Sequence, residues 1–241
     1  DNLYVDLPNK FQTPSLSHLF GTDWVGRDML TRTIKGLSLS MKIGLLATLT
    51  STIIAIILGI IGPTFGRRVD AVVTWFIDLV LSVPHTLVVI LISIAMGGGL
   101  KGIVVGVAAT HWTSLTRVIR AEVMQIMESD YTKISKNFGK SNWYIAKEHI
   151  LPHVIPQIIV NAVLIFPHAI LHEASVTFLG FGLPPHEPAI GVILSESMKY
   201  LTSGYWWLAF FPGLSLILVS MMVDKIGKNI EQLINPKTAY K

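Results

Sequence analysis

The stretch from Ile43 to Ile61 contains no charged residue over its whole length. A helix that crosses the hydrocarbon core of a bilayer needs about 20 predominantly apolar residues, which this stretch supplies. Only 14% of the 241 residues are charged, whereas a soluble domain carries about 25%. We therefore predict an all-α integral membrane protein, built as a polytopic helical bundle.

Four more apolar stretches follow the first, so the sequence predicts five membrane spans. The third is short, but Lys101 and Arg117 can extend from its two ends to the bilayer surface. The last begins next to Tyr205, Trp206 and Trp207, which is typical of an interfacial aromatic belt. The four stretches are Ala71–Met96, Gly102–Thr116, His153–Leu179 and Leu201–Val223.

Basic residues predict the orientation of the spans. They are concentrated between spans one and two, between spans three and four, and after span five, whereas the opposite loops contain only Lys101 and Lys199. The positive-inside rule then places the loop 121–152 and the tail 231–241 in the cytoplasm. The predicted transmembrane domain covers 38–230, with an outer loop at 180–204.

The N-terminal segment 1–37 is predicted to be extracytoplasmic. This placement leaves Arg27, Arg32 and Lys35 on the outer side, against the positive-inside rule. The simplest completion is one further span before Asp1, which is absent from this chain and would give six.

The polar segment from Tyr131 to Pro152 contains Gly139-Lys140-Ser141, which looks like the end of a nucleotide-binding loop. A phosphate loop requires an earlier glycine, but Ile134 occupies that position, and no strand is predicted before it. The sequence therefore predicts no ATP site here. The net charge of +4 belongs to loops between apolar runs, so we predict no nucleic-acid partner.

The spacing of Tyr131, Gly139 and His149-Ile150-Leu151-Pro152 resembles the cytoplasmic loop of ABC importer permeases. That family has Glu-Ala-Ala, three residues, Gly, nine residues and Ile-x-Leu-Pro; here Lys133-Ile134-Ser135 replaces Glu-Ala-Ala. The stretches "LFGTDWVGRDMLTR" (19–32) and "EASVTFLGFGLPP" (173–185) resemble the peptide and nickel branch. The resemblance implies a type I ABC importer permease in the cell membrane of a prokaryote.

The resemblance also implies partners and a docking site. The loop would form a short coupling helix in a groove of an ATPase subunit, with Gly139 allowing a tight turn and Pro152 restarting the next helix. The partners would be a second homologous permease, two ATP-binding subunits, an extracytoplasmic solute-binding protein and the lipid bilayer. ATP and Mg would bind those ATPase subunits, and this chain would hold no cofactor. The predicted docking residues are Asp130, Tyr131, Ile134, Ser135, Phe138, Gly139 and Pro152.

Ionisable residues within the spans are the candidates for contact with cargo, because they are costly at membrane depth. His168 and His172 share a helix face beside Pro167, which should kink span four. Imidazole suits nickel, copper and zinc, so this pair is predicted to bind metal transiently. The further path candidates are Glu173, Asp78, His85 and His111.

Three functions remain open at this point. Nickel and metal-chelate permeases resemble this chain in having His at positions 168 and 172, which favours a permease for nickel or a metal chelate. The alternative is a dipeptide or oligopeptide permease, in which these histidines only hydrogen-bond neighbouring helices. A membrane-embedded zinc enzyme would share the His-x-x-x-His spacing, but Glu173 follows the second histidine and the general-base geometry is lost. We therefore predict a transport subunit and no catalytic residue.

The outer loop 180–204 is rich in proline and glycine near its start. This composition excludes a simple span and leaves three alternatives. They are a re-entrant loop, a lid that meets the binding protein, and an interfacial helix packed on the bundle.

Overall fold

The computed structural model describes residues 4–234, and in that part of the chain nearly all regular structure is helical. A single isolated bridge joins Thr22 to Asp28. A 3-10 turn covers Leu7–Asn9, and a five-residue π-helical segment, Ala146–Ile150, connects two helices. The helices are α1 (Met29–Phe65), α2 (Arg67–Leu81), α3 (His85–Ala95), α4 (Gly99–Glu128), α5 (Asp130–Asn137), α6 (Asn142–Ile145), α7 (Leu151–Phe178), α8 (Ile190–Leu201) and α9 (Trp207–Ile234).

Three helical units are long and apolar enough to cross a membrane: α1, the continuous run Asn142–Phe178, and α9. Taken together, α2 and α3 are also long and apolar enough to cross a membrane, but the pair is bent by 93°. Helix α4, which contains the predicted third span, is 30 residues long but is not apolar enough to be counted as a span by composition alone. The membrane character is therefore supported, whereas the total of five spans remains a prediction.

Helix α1 begins at Met29, well before residue 38, where the sequence predicts the start of the transmembrane domain. Asp28 caps it by accepting hydrogen bonds of 2.8 Å from the backbone N–H and the hydroxyl of Thr31. The sequence did not predict a helix start at Met29, because the first turns of α1 are polar and Arg32 resembles a loop residue. It is in fact buried and paired with Asp23 and Glu196.

Helix α1 is the central element of the bundle and packs along α4 and α7. Two glycines make the contact close: a Cβ at Gly44 would lie 2.6 Å from Ile170 Cγ1, and one at Gly59 would lie 2.7 Å from Ile119 Cγ2. Small residues let helix backbones approach in this way, which favours packing where lipid supplies no hydrophobic driving force.

The predicted second span is broken between α2 and α3. Pro84 precedes the first residue of α3 and has an extended backbone, with ψ of 127°. Proline disfavours helical geometry in the residue before it, here Val83. The result is the 93° bend, which turns α3 toward α4 and α7.

The segment predicted as the outer loop contains a helix, α8, that packs on the bundle. Ile190 and Ile193 of α8 are fully buried, and the Ser197 hydroxyl donates to the Leu208 carbonyl at 2.8 Å. A Cβ at Gly191 would lie only 2.4 Å from the Ala174 carbonyl oxygen. This helix is thus held tightly against α7 and α9.

The two ends of the bundle gather different segments. At one end, Gly99 N–H donates to the Gly182 carbonyl at 3.1 Å, and Arg32 pairs with Glu196. At the other end, Asp70 of α2 pairs with Arg120 of α4 next to a cavity that Lys136 of α5 also lines. The N-terminal segment and α5 therefore lie at opposite ends of the bundle, and which end faces the cytoplasm stays a prediction. Residues 235–241 of the predicted tail lie outside the described residues, and its start, 231–234, belongs to α9.

Candidate functional site

Three histidines from three helices meet in the interior of the bundle. His85 is the first residue of α3, His111 lies in the middle of α4, and His172 lies on α7. The ring centroids are 4.3 Å apart for His85 and His172, 4.7 Å for His85 and His111, and 5.2 Å for His111 and His172. We call these three residues the histidine cluster.

Two ring nitrogens of the cluster have defined surroundings. His111 Nδ1 lies 2.9 Å from the Val107 carbonyl oxygen. Since a carbonyl can only accept, this nitrogen carries the proton and Nε2 retains its lone pair. His85 Nδ1 is buried and has no hydrogen-bond partner in the described part of the chain.

The cluster lines a cavity of about 400 Å³ between the α2–α3 bend, α4 and α7. This volume lies within the range of small-ligand pockets. Hydroxyl groups and aliphatic side chains share the wall, so both polar and apolar parts of a ligand would find partners. The remaining lining residues are Leu81, Thr110, Thr113, Ser114, Leu164, Ile165 and His168.

The structure places the predicted path residues in three different settings. His168 is exposed at the cavity wall, while His172 groups with His85 and His111 and not with His168. The predicted metal pair of His168 and His172 stays a prediction, and the α2–α3 bend places His85 and His111 next to His172. The sequence clue was the Pro84-His85 pair, which marks a helix start.

Glu173 and Asp78 do not line this cavity. Glu173 is fully buried and accepts a 2.9 Å hydrogen bond from the Thr177 hydroxyl. Asp78 accepts a 2.9 Å hydrogen bond from Arg117 of α4 at an exposed position. Helix α7 runs unbroken through Pro167, so the predicted kink does not interrupt it.

The second candidate site is the exposed face of α5. Tyr131, Ile134 and Phe138 follow one another at helical spacing and therefore share one face. Their exposed fractions are 47%, 53% and 80%. Trp143, just after the turn, is exposed as well. Two features hold α5 in place: Thr132 is fully buried, and Ser135 Oγ lies 2.8 Å from His149 Nε2.

The ends of α5 are well defined. Asp130 is its first residue, where a negative charge is favourable. At the other end Gly139 has a φ of +75°. Its N–H donates to the Lys136 carbonyl and the N–H of Lys140 donates to the Ser135 carbonyl, which forms a Schellman motif. Pro152 is the second residue of α7, directly after the π-helical segment Ala146–Ile150.

Comparison with known proteins now decides the family. A family model described as "Binding-protein-dependent transport system inner membrane component" matches residues 51–236. The chain belongs to this family. It is 34% identical over 224 residues to the dipeptide transport system permease protein DppC of Bacillus subtilis (strain 168), covering 93% of this chain and 70% of that protein.

Two further relatives of this chain are also named as peptide permeases. The probable D,D-dipeptide transport system permease protein DdpC of Escherichia coli (strain K12) is 30% identical over 98% of this chain and 79% of its own length. The oligopeptide transport system permease protein OppC of Bacillus subtilis (strain 168) is 31% identical over 97% of this chain and 76% of its own length.

Solved structures agree on the fold of this family member. The chain matches a structure titled "Inward facing conformations of the MetNI methionine ABC transporter" with a TM-score of 0.69, at 14% identity, over 86% of this chain and 98% of that one. A structure titled "Crystal structure of an amino acid ABC transporter with histidines" matches with a TM-score of 0.64, at 16% identity, over 84% and 94% of the two chains.

These matches confirm two of the predictions. The chain is an ABC importer permease related to the peptide branch, and it is a transport subunit and not an enzyme. The predicted nickel or metal-chelate cargo receives no support from the relatives, whose names refer to peptides.

Proposed function

We propose that this chain is one of two membrane-spanning subunits of an ATP-driven importer for dipeptides or oligopeptides. Its partners would be a second homologous permease, two ATPase subunits that hold ATP and Mg, and an extracytoplasmic solute-binding protein. The carrying observation is the identity of 30–34% to dipeptide and oligopeptide permeases over at least 93% of the chain. Peptide import thus replaces nickel import as the main proposal.

The cavity beside the histidine cluster is compatible with a peptide in transit. A peptide carries amide donors and carbonyl acceptors along its backbone and charges at its termini. The cavity offers the hydroxyls of Thr110, Thr113 and Ser114 and the rings of four histidines, alongside Leu164 and Ile165. Hydroxyls and imidazoles can both donate and accept, so they can serve peptides of different sequence.

We propose that α5 docks on an ATPase subunit. Aromatic side chains that are exposed in the free chain and become buried on binding supply much of the energy of protein interfaces. Tyr131, Phe138 and Trp143 are exposed in this way at the end opposite the N-terminal segment. Thr132 and the Ser135–His149 contact connect α5 to the bundle, so that a movement of the partner can reach the spans.

Transport by the assembled complex in proteoliposomes tests the proposed cargo. Radiolabelled dipeptides, a pentapeptide and nickel, both free and chelated, would be supplied separately with the binding protein and ATP. We expect ATP-dependent uptake of at least one peptide class. Uptake of nickel or a chelate without uptake of any peptide would show that the proposal is wrong.

A further inference from the structure

The histidine cluster has a composition that peptide transport alone does not require. Its three ligand nitrogens, one from each of His85, His111 and His172, all lie within 4.8 Å of one another. The cluster is formed by three separate helices, so the convergence is a property of the fold and not of local sequence. We propose that the histidine cluster is a binding site for a first-row transition-metal ion such as Zn²⁺, Co²⁺ or Ni²⁺.

The geometry is close to that of a three-imidazole site. A tetrahedral ion with metal–nitrogen bonds of about 2.0 Å places its ligand atoms roughly 3.3 Å apart. The nitrogens of the cluster, within 4.8 Å of one another, must therefore close by at most about 1.5 Å when a metal binds. Three protein ligands leave a fourth position, as in metal sites that exchange ligands.

The ring of His111 is already oriented for metal binding by a hydrogen bond to the backbone. The His111 Nδ1–H bond to the Val107 carbonyl fixes the ring and leaves Nε2 as the ligand atom. A backbone carbonyl in this role is a common outer partner of metal-bound histidines. His85 adds a buried Nδ1 without a partner, which a metal bond would satisfy.

The donor set selects the class of ion. Neutral imidazoles favour zinc, copper, nickel and cobalt, whereas calcium and magnesium require oxygen ligands. Neither Glu173 nor Asp78 belongs to the cluster or its cavity. His168 lines the same cavity one turn before His172 but is not part of the cluster, so the fourth position is left for an added ligand.

Metal titration of the purified complex in lipid nanodiscs tests the site. The complex carries an affinity tag without histidine and is first stripped with a chelator. Co²⁺ is added and followed by its visible absorption, and Zn²⁺ binding is measured by equilibrium dialysis. We expect His172→Leu and His111→Gln to weaken binding by more than the roughly 10- to 100-fold typical of an outer-shell partner.

The matched control is His153→Leu, which removes an exposed histidine from the same helix α7 outside the cavity. It should bind Co²⁺ as the parent does. Equal titrations of parent, His172→Leu and His111→Gln would overturn the proposal, and so would an equal loss in the control.

A measurement without variants covers the case in which a variant does not assemble. Diethyl pyrocarbonate modifies accessible imidazoles, and mass spectrometry maps the modified residues. We expect Zn²⁺ to protect the histidine cluster while His153 is modified at an unchanged rate. Unchanged modification of all three cluster histidines would overturn the proposal. Neither assay measures uptake, so failure of peptide transport leaves this inference standing.

Discussion

At the scale of single residues, Gly139 shows how one backbone angle ends the docking helix. Its φ of +75° lies in the left-handed region, and a Cβ there would meet no atom within 4 Å. A side chain would therefore cause backbone strain of roughly 1–2 kcal/mol without a clash. The sequence pattern identified this glycine because the spacing to Pro152 was intact.

We predict that Gly139→Val reduces the coupling between ATP hydrolysis and peptide uptake, because the turn after α5 opens and the exposed face loses its orientation. The ratio of peptide taken up to ATP hydrolysed would be measured in proteoliposomes. Gly204→Val is the matched control, since Gly204 has a φ of +90° and equally open surroundings on the connection between α8 and α9. An equal fall in both variants would contradict the prediction.

Asp28 provides a residue-scale prediction about pH. Burial opposes its ionisation, but hydrogen bonds from His18 and Thr31 outweigh burial and hold the pKa below its ordinary value of 3.8. A carboxyl with a lowered pKa stabilises the fold above that value, and this contribution is lost as the pH falls through the folded pKa.

We therefore expect Asp28→Asn to lower the free energy of unfolding at neutral pH by about 0.3–1 kcal/mol, the value of a negative charge at a helix N-terminus, because asparagine keeps the cap but loses the charge. Thermal unfolding of the detergent-solubilised complex would be compared across pH. The difference from the parent should shrink as the pH falls below 3.8. The exposed Asp6→Asn is the control, and a difference that grows on acidification would count against the argument.

At the scale of elements, the sequence predicted the helix α5 but not the bend between α2 and α3. The loop spacing indicated a helix before Gly139, and α5 covers Asp130–Asn137. The break at Pro84 was missed because the average apolar character of Ala71–Met96 hides one proline. A helix was only one of three alternatives predicted for the segment that contains α8, because the prolines before Ile190 suggest a loop. Its packing against α1, α7 and α9 depends on burial, which the sequence does not show.

We predict that Phe138→Asp weakens assembly with the ATPase subunits while the chain still inserts, because a charge replaces the most exposed side chain of the α5 face. Co-purification of ATPase with permease would be measured. Leu16→Asp is the control: Leu16 is 99% exposed in the N-terminal segment, at the opposite end of the bundle. Normal co-purification of Phe138→Asp would show that α5 does not dock there.

At the scale of the whole molecule, hydropathy predicted a membrane bundle, and charge predicted which loops share a side. Neither could predict the histidine cluster, because His85, His111 and His172 are far apart in sequence and meet only through packing. The number of spans also depends on packing, since α4 is long enough to cross a membrane and its position in the bundle is set by its contact with α1.

The orientation gives a prediction for the whole molecule. The chain contains no cysteine, so single cysteines can report sidedness in intact cells. We expect a cysteine at Gly98 or His186 to react with an impermeant thiol reagent from outside, and one at Asn137 only after the membrane is opened. Reversed labelling would overturn the orientation.

The close approach at Gly44 and Gly59 has a mechanical consequence for α1. A helix whose backbone is wedged against Ile170 and Ile119 can neither rotate about its own axis nor slide without carrying its neighbours along. Its 37 residues span about 55 Å at 1.5 Å per residue. We therefore expect a displacement of α1 at the end that α6 contacts to move α4 and α7 with it, as far as the Arg32–Glu196 ion pair near the other end.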